Sequence, residues 1–323
     1  MNKKWLLAVL AALLLALSVS CQAEDVPTRV YALNGPTGIG MVGLMRDNAG
    51  EYDFTLTSAP DEIVAAIASG NADIAACPTN LAATLYNRTN GAVQIMALNT
   101  LGVLHIVTAD ESIQSVADLA GRTLYATGQA AVPEYVLAYI LEQNGLTDSV
   151  TVEYLAEHSE LATLLASGKA EVGMLPEPHV TSAIAGAAAQ EITLRRALDV
   201  TALFEDAARA AGNEDMVLSM GCVIVRREFA EKNPEKIDAF LTAYADSVAW
   251  VNADPAAAAA EVEAQGVMPK AAVAQSAIPN CHIVFIEGEA MRAQIAPLYQ
   301  LLFDANPQSV GGTLPGDDFY YAR

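Results

Sequence analysis

The chain has 323 residues and a formal net charge of −21, with 53% hydrophobic and only 17% charged residues. That length holds roughly two domains, and that acidic balance excludes capture of nucleic acid or anionic lipid through bulk electrostatics. Acidic blocks such as Glu205-Asp206, Glu214-Asp215 and Asp317-Asp318 read as solvated surface.

The first segment is for export. Lys3-Lys4, an apolar run from Trp5 to Leu17 and small residues before Cys21 describe a secretory signal over residues 1–20. The run is shorter than the ~20 residues of a spanning helix. Val19-Ser20-Cys21 resembles a lipobox in which Cys21 is acylated, although Ser18 departs from the aliphatic residue usual there; cleavage after Ala23 would instead release a soluble chain. Of the other cysteines, Cys77, Cys222 and Cys281, none has a Cys-x-x-Cys partner, and each sits in or beside an apolar run as a buried free thiol would.

Thr28–Leu33 reads as a strand that enters the loop Asn34-Gly35-Pro36-Thr37-Gly38. Gly38-Ile39-Gly40-Met41-Val42-Gly43 is a literal G-x-G-x-x-G with Asp61 about twenty residues on, the outline of a dinucleotide site. Four residues, Asn34 to Thr37, separate strand from first glycine, so the fingerprint's immediate turn is missing. The better reading is a loop whose glycines and helix-start N–H groups approach a small ligand, with the Thr37 hydroxyl beside them. Asp61 is then a helix cap rather than a ribose ligand.

A strand at Thr55–Thr57 leads into a unit that occurs twice. Residues 61–81 and 159–180 share Ala-Ser-Gly (68–70 and 166–168), an acid (Asp73 and Glu171) and a proline (Pro78 and Pro176) at one ungapped offset. Each copy reads as a helix, a left-handed glycine stop and a buried strand: Ile74–Cys77 in one, Val172–Leu175 in the other. The match extends upstream, where Val30–Leu33 and Thr123–Ala126 both run into glycine loops, so the chain is expected to build two similar lobes. The copies part after the proline, with Thr79-Asn80 in one and Glu177-Pro178-His179 in the other. Thr79 is the expected N-cap of the helix that follows.

Between the copies, Val93–Leu98 and Val103–Thr108 read as strands around Asn99-Thr100-Leu101-Gly102. Pro133–Asn144 reads as a helix and Val150–Tyr154 as a strand. After Ala187 the pattern weakens through an Ala-rich acidic stretch until a strand at Met220–Arg226. Asn233-Pro234 then opens a long helix with Ile237, Phe240, Leu241, Tyr244, Val248 and Val251 on one face. Helices at Ala256–Ala264, Lys270–Ala277 and Glu289–Ala305 and a strand at Cys281–Ile286 complete the chain.

Loops at the ends of open α/β strands form ligand crevices. The expected ligand contacts are Gly35, Pro36, Thr37, Gly38, Pro78, Thr79, Asn80 and Asn99 from one lobe and Thr127, Gly128, Gln129, Glu177 and His179 from the other. His105, His158, His179 and His282 show no metal-ligand spacing and no nucleophile elbow occurs, so neither an enzyme nor a metal site is expected, and no cofactor is implied. Glu177 reads either as a surface acid between two prolines or as an acceptor for an amine in the cleft.

Gly35-Pro36-Thr37-Gly38-Ile39-Gly40-Met41-Val42, Pro78-Thr79-Asn80-Leu81-Ala82, Asp118-Leu119-Ala120-Gly121, Tyr125-Ala126-Thr127-Gly128 and Leu175-Pro176-Glu177-Pro178 together resemble the substrate-binding lipoproteins of ABC importers in the sulfonate, nitrate and thiamine-precursor group. The resemblance implies an α/β, two-lobed periplasmic-binding fold of class II, with 26–108 and 201–323 in one lobe and 109–200 in the other. It implies a two-strand hinge at Val103–Thr108 and near Leu218–Val225, a monomer outside the cytoplasm held by a lipid anchor, and delivery of a small nutrient to a permease driven by an ATPase. The ligand it implies is a sulfonate, a nitrate-like anion or a pyrimidine related to thiamine. The alternatives are an exported enzyme with a dinucleotide at Gly38–Gly43 and a TAXI-type binding protein of TRAP transporters.

Overall fold

The computed structural model describes residues 26–323; the proposed signal 1–20 and Cys21 lie outside them. In chain order the strands are β1 (Thr28–Leu33), β2 (Tyr52–Thr57), β3 (Ile74–Pro78), β4 (Val93–Leu101), β5 (Leu104–Thr108), β6 (Thr123–Thr127), β7 (Thr151–Leu155), β8 (Val172–Pro176), β9 (Arg195–Asp199), β10 (Ser219–Arg226) and β11 (Ile283–Glu287). They form two open mixed sheets flanked by helices, ordered β11-β4-β10-β3-β1-β2 and β7-β6-β8-β5-β9.

Apart from β11 the two orders are the same. In each sheet three parallel strands come from one continuous stretch, β2-β1-β3 or β7-β6-β8. The next strand is antiparallel and is reached from the other half of the chain: β10 beside β3, β5 beside β8. β5 was expected in the first lobe, within 26–108, yet it pairs with β8 and β9. The changeover therefore lies at Gly102-Val103. There a methyl on Gly102 would sit 2.1 Å from the Thr201 hydroxyl, so the crossing chain needs a residue with no side chain.

The second lobe runs past its expected boundary at 200. Residues 195–199 form edge strand β9, and the helix Val200–Ala210 continues the second lobe, so the boundary at 200 moves to the segment before β10. Asp199 caps that helix by accepting from Thr201 N (2.8 Å) and Ala202 N (3.4 Å), and Val200, Phe204, Ala207 and Ala208 make its buried face.

The repeat is realised down to individual hydrogen bonds. Gly70 and Gly168 take φ of 75° and 70° after their helices. Asn71 N donates to Ala66 O (2.8 Å), and Lys169 N, 98 positions on, donates to Leu164 O (2.9 Å). Both are left-handed stops that satisfy helix-end carbonyls. β3 and β8 then run fully buried to Pro78 and Pro176, which are partly exposed. A proline there adds no N–H to the ladder and ends the strand at the cleft.

Two caps differ from expectation. Pro78, not Thr79, is the N-cap of Thr79–Arg88, and Ala59, not Asp61, is the N-cap of Pro60–Ser69, leaving Asp61 in the first turn. Among the described residues no helix is long and apolar enough to cross a membrane.

Candidate functional site

A cavity of about 420 Å³ opens where the carboxyl ends of the parallel strands of both sheets meet. The first lobe contributes Pro36 and Thr37 after β1, Pro60 after β2, and Pro78, Asn80 and Leu81 after β3, with Thr100 and Met220 from β4 and β10 behind them. The second lobe contributes Ala131, Val132 and Pro133 after β6 and Pro176 and Glu177 at the end of β8, with Val103 at the crossover. The two prolines matched by the repeat thus share one cavity.

Four helices of ten or more residues begin at this cavity: Pro60–Ser69, Thr79–Arg88, Val132–Gln143 and His179–Ala188. A helix start leaves N–H groups without intrahelical partners and carries the positive end of the helix dipole. Such starts, two per lobe, favour negative charge between them even in an acidic chain, and at His179–Ala188 the Glu177 carboxylate already takes Thr181 N.

Among the described residues Glu177 is the one charged group lining the cavity. Its side chain is wholly buried, and it is not free to receive a ligand amine. Oε1 accepts from Arg196 Nε (2.9 Å) and Nη2 (2.5 Å), while Oε2 accepts from Thr181 N (3.1 Å) and Oγ1 (2.8 Å). Arg196 Nη2 also donates to Thr181 Oγ1 (2.7 Å). The pair is neutral as a unit, so the carboxylate does not repel an anion in the cleft.

Of the residues expected at the site, Pro36, Thr37, Pro78, Asn80 and Glu177 line the cavity. The others do not, and all but Gln129 have a structural occupation. Gly35 has φ 86° and donates to Val267 O (3.1 Å), turning the chain into the short helix Pro36–Ile39. Asn99 is buried and donates to Thr37 O (3.1 Å), so it positions the Thr37 loop. The Thr79 hydroxyl is buried against Ser219 Oγ (3.0 Å), and the Thr79 carbonyl accepts from Tyr299 OH (2.9 Å). Thr127 Oγ1 meets His158 Nδ1 at 2.6 Å. Gly128, at φ 82°, lets Pro133 come close, since a methyl there would lie 2.8 Å from the proline ring. Gln129 is exposed. His179 packs its half-buried ring against His158, centroids 5.0 Å apart. Burial lowers the pKa of both imidazoles, and for His179 the neighbouring His158 lowers it further.

The glycine motif is used for packing. A methyl on Gly38 would lie 2.5 Å from Leu33 O, one on Gly40 3.0 Å from Tyr244 OH, and one on Gly43 2.8 Å from Ser247 Oγ. The space that a dinucleotide would need beside these glycines is occupied by β1 and the helix Pro234–Ala253.

Arg196 was missed because it lies on a polar edge strand 19 residues from its partner. Ala131-Val132-Pro133 could have been found, since the proline at a helix start right after Gly128 marks the second lobe's counterpart of Pro36-Thr37. Met220 and Thr100 carried no local signal, as they reach the cavity through sheet pairing alone.

A family model described as ABC transporter, phosphonate, periplasmic substrate-binding protein matches residues 47–267. An ABC transporter structure from Parabacteroides distasonis superimposes with a TM-score of 0.77 at 21% identity, covering 92% of this chain and 99% of that one. The periplasmic aliphatic sulphonate binding protein SsuA from Escherichia coli gives 0.66 at 17% identity, covering 92% of each chain. The alkanesulfonate-binding protein SsuA from Xanthomonas axonopodis pv. citri, bound to MOPS, gives 0.58 at 14% identity, covering 90% of this chain and 94% of that one. These likenesses concern the fold. No curated relative matches the sequence.

Proposed function

We propose, from the premise that the chain belongs to the family of phosphonate periplasmic substrate-binding proteins of ABC transporters, that it captures a small organic oxyanion of the phosphonate or sulfonate class. Its family consists of binding components of importers rather than enzymes, and its place is outside the cytoplasm. The observation that carries the ligand class is the convergence of three helix starts, Pro60, Thr79 and Val132, on a cavity whose single lining acid is already neutralised by Arg196.

In this reading the oxyanion head takes N–H groups at the helix starts and the polar side chains of Thr37 and Asn80. The organic part lies along Pro78, Pro176, Val132 and Met220. Contacts to both lobes at once would stabilise a closed arrangement, which a permease would then receive. Acylation of Cys21 would hold the protein at the membrane beside that permease. A ligand amine bound by Glu177, the basis for a pyrimidine ligand, loses its support because both carboxylate oxygens are in use.

Calorimetric titration with ethylphosphonate and ethanesulfonate tests the reading, with Thr37→Val and Asn80→Leu as variants. At least one of the two ligands binds saturably, and each variant weakens it about tenfold, the loss of one hydrogen bond to a charged group. Saturable binding by neither ligand would overturn it.

A further inference from the structure

A second cavity, of about 470 Å³, lies away from the ligand cleft with one wall from each lobe. The helix Val132–Gln143 presents Tyr135, Ala138, Tyr139 and Glu142. Facing it, the helix Gly288–Ala305 of the first lobe presents Pro297, Gln300, Leu301 and Asp304. Both sets follow the i, i+3, i+4, i+7 spacing of a single helix face. Two such faces would ordinarily interdigitate, yet here they stand apart, bridged at one end by Asn306 Nδ2 donating to Tyr135 OH (3.0 Å). Asn213 and Met216, on the return segment between the lobes, also line the cavity.

We infer that this cavity binds a small organic cation, an ammonium on an aromatic or short aliphatic body. Glu142 and Asp304 supply a carboxylate from each lobe, and among the described residues no lysine or arginine lines the space. The rings of Tyr135 and Tyr139 add faces that attract a cation. Leu301, Met216 and Pro297 give the body of the ligand an apolar wall. An anion of the kind proposed for the cleft would meet two carboxylates here, so the two cavities select opposite charges.

The site is coupled to the cleft by construction. The helix whose start, Val132 and Pro133, lines the ligand cavity carries Tyr135, Tyr139 and Glu142 one to three turns on. An occupant touching both lobes stabilises this arrangement of them to the extent that it binds other arrangements less well.

The test is calorimetry on residues 22–323 with phenethylamine and, as a probe of the same body and opposite charge, phenylacetate. Phenethylamine binds saturably and phenylacetate does not. The variant Glu142→Gln/Asp304→Asn, checked for unchanged thermal unfolding, weakens the amine at least tenfold and leaves ethanesulfonate binding within twofold. No saturable amine binding, equal binding of phenylacetate, or indifference to the double substitution would overturn the inference. A chain that binds the amine but no oxyanion keeps this site and loses the cleft reading, so the two fail separately.

Discussion

Thr79 and Glu177 occupy the same place in the two lobes, one residue past the proline that ends the central strand. Their backbones are set by the same left-handed stop and buried strand, yet their side chains are satisfied differently. Thr79 takes a neutral partner, Ser219, on the strand that returns to its own sheet. Glu177 takes a charged partner, Arg196, on an edge strand, with Thr181 beside it. The duplicated backbone thus fixes where the cleft is, and the Glu177–Arg196 pair sets the charge on its second-lobe side.

The sharpest way to break that comparison is Arg196→Met. It leaves a wholly buried carboxylate without its cation, and removal of one partner from such a pair costs about 3–5 kcal/mol. Urea unfolding should show the loss, and oxyanion binding should disappear with it. Adding Glu177→Gln should restore most of the stability; a double variant as unstable as the single one would show that the pair is not the cause. Thr79→Val is the matching test in the first lobe. It removes one neutral hydrogen bond and should cost about 1 kcal/mol, with oxyanion affinity changed by less than about threefold.

Acid sharpens the contrast further, because the second lobe holds the histidine pair. Burial keeps His158 and His179 below the usual imidazole pKa. Between their folded pKa and ~6.5 the unfolded chain binds more protons, so stability falls as pH drops through that window and is fully present above it. His158→Gln/His179→Gln should flatten the dependence of Tm on pH there. An unchanged slope would assign the effect to other groups. Smallest of all is Asp61→Ala, an exposed acid in the first turn of Pro60–Ser69. Loss of its dipole interaction should cost about 0.3–1 kcal/mol and leave ligand affinity unchanged.

The parts of the fold legible in the sequence are those written by local physics. Ala-Ser-Gly with an acid and a proline at fixed spacing specifies helix, stop, strand and cleft edge, and both copies formed as expected. What was not legible depends on pairing at a distance. β5 looks like any apolar strand, and only its neighbours β8 and β9 assign it to the second sheet. β9, Arg-Arg-Ala-Leu-Asp, is too polar to announce itself as a strand, although the Asp199 cap and the apolar spacing after it do mark a helix at 200–210.

The candidate site divides in the same way. Pro36, Thr37, Pro78 and Asn80 lie at the ends of strands that the sequence identifies, and they line the cavity. Thr79 and Thr127 lie one and four residues from the lining but turn into the lobes, where Ser219 and His158 take their hydroxyls. Position along the chain brought them to the cleft edge, and these partners hold them facing away from it. Gly38, Gly40 and Gly43 show how a motif can match a fingerprint while its residues serve core packing.

The most direct test of the central claim is a thermal-shift comparison of ethanesulfonate, ethylphosphonate, ethylamine and NAD on residues 22–323. A ligand at a thousandfold excess over its Kd adds ~4 kcal/mol to the folded state. On this account a sulfonate or a phosphonate should raise Tm clearly, and less in Asn80→Leu, whose tenfold weaker binding still adds ~2.7 kcal/mol, while NAD should give no rise. A rise with NAD alone, or with neither oxyanion, would contradict it.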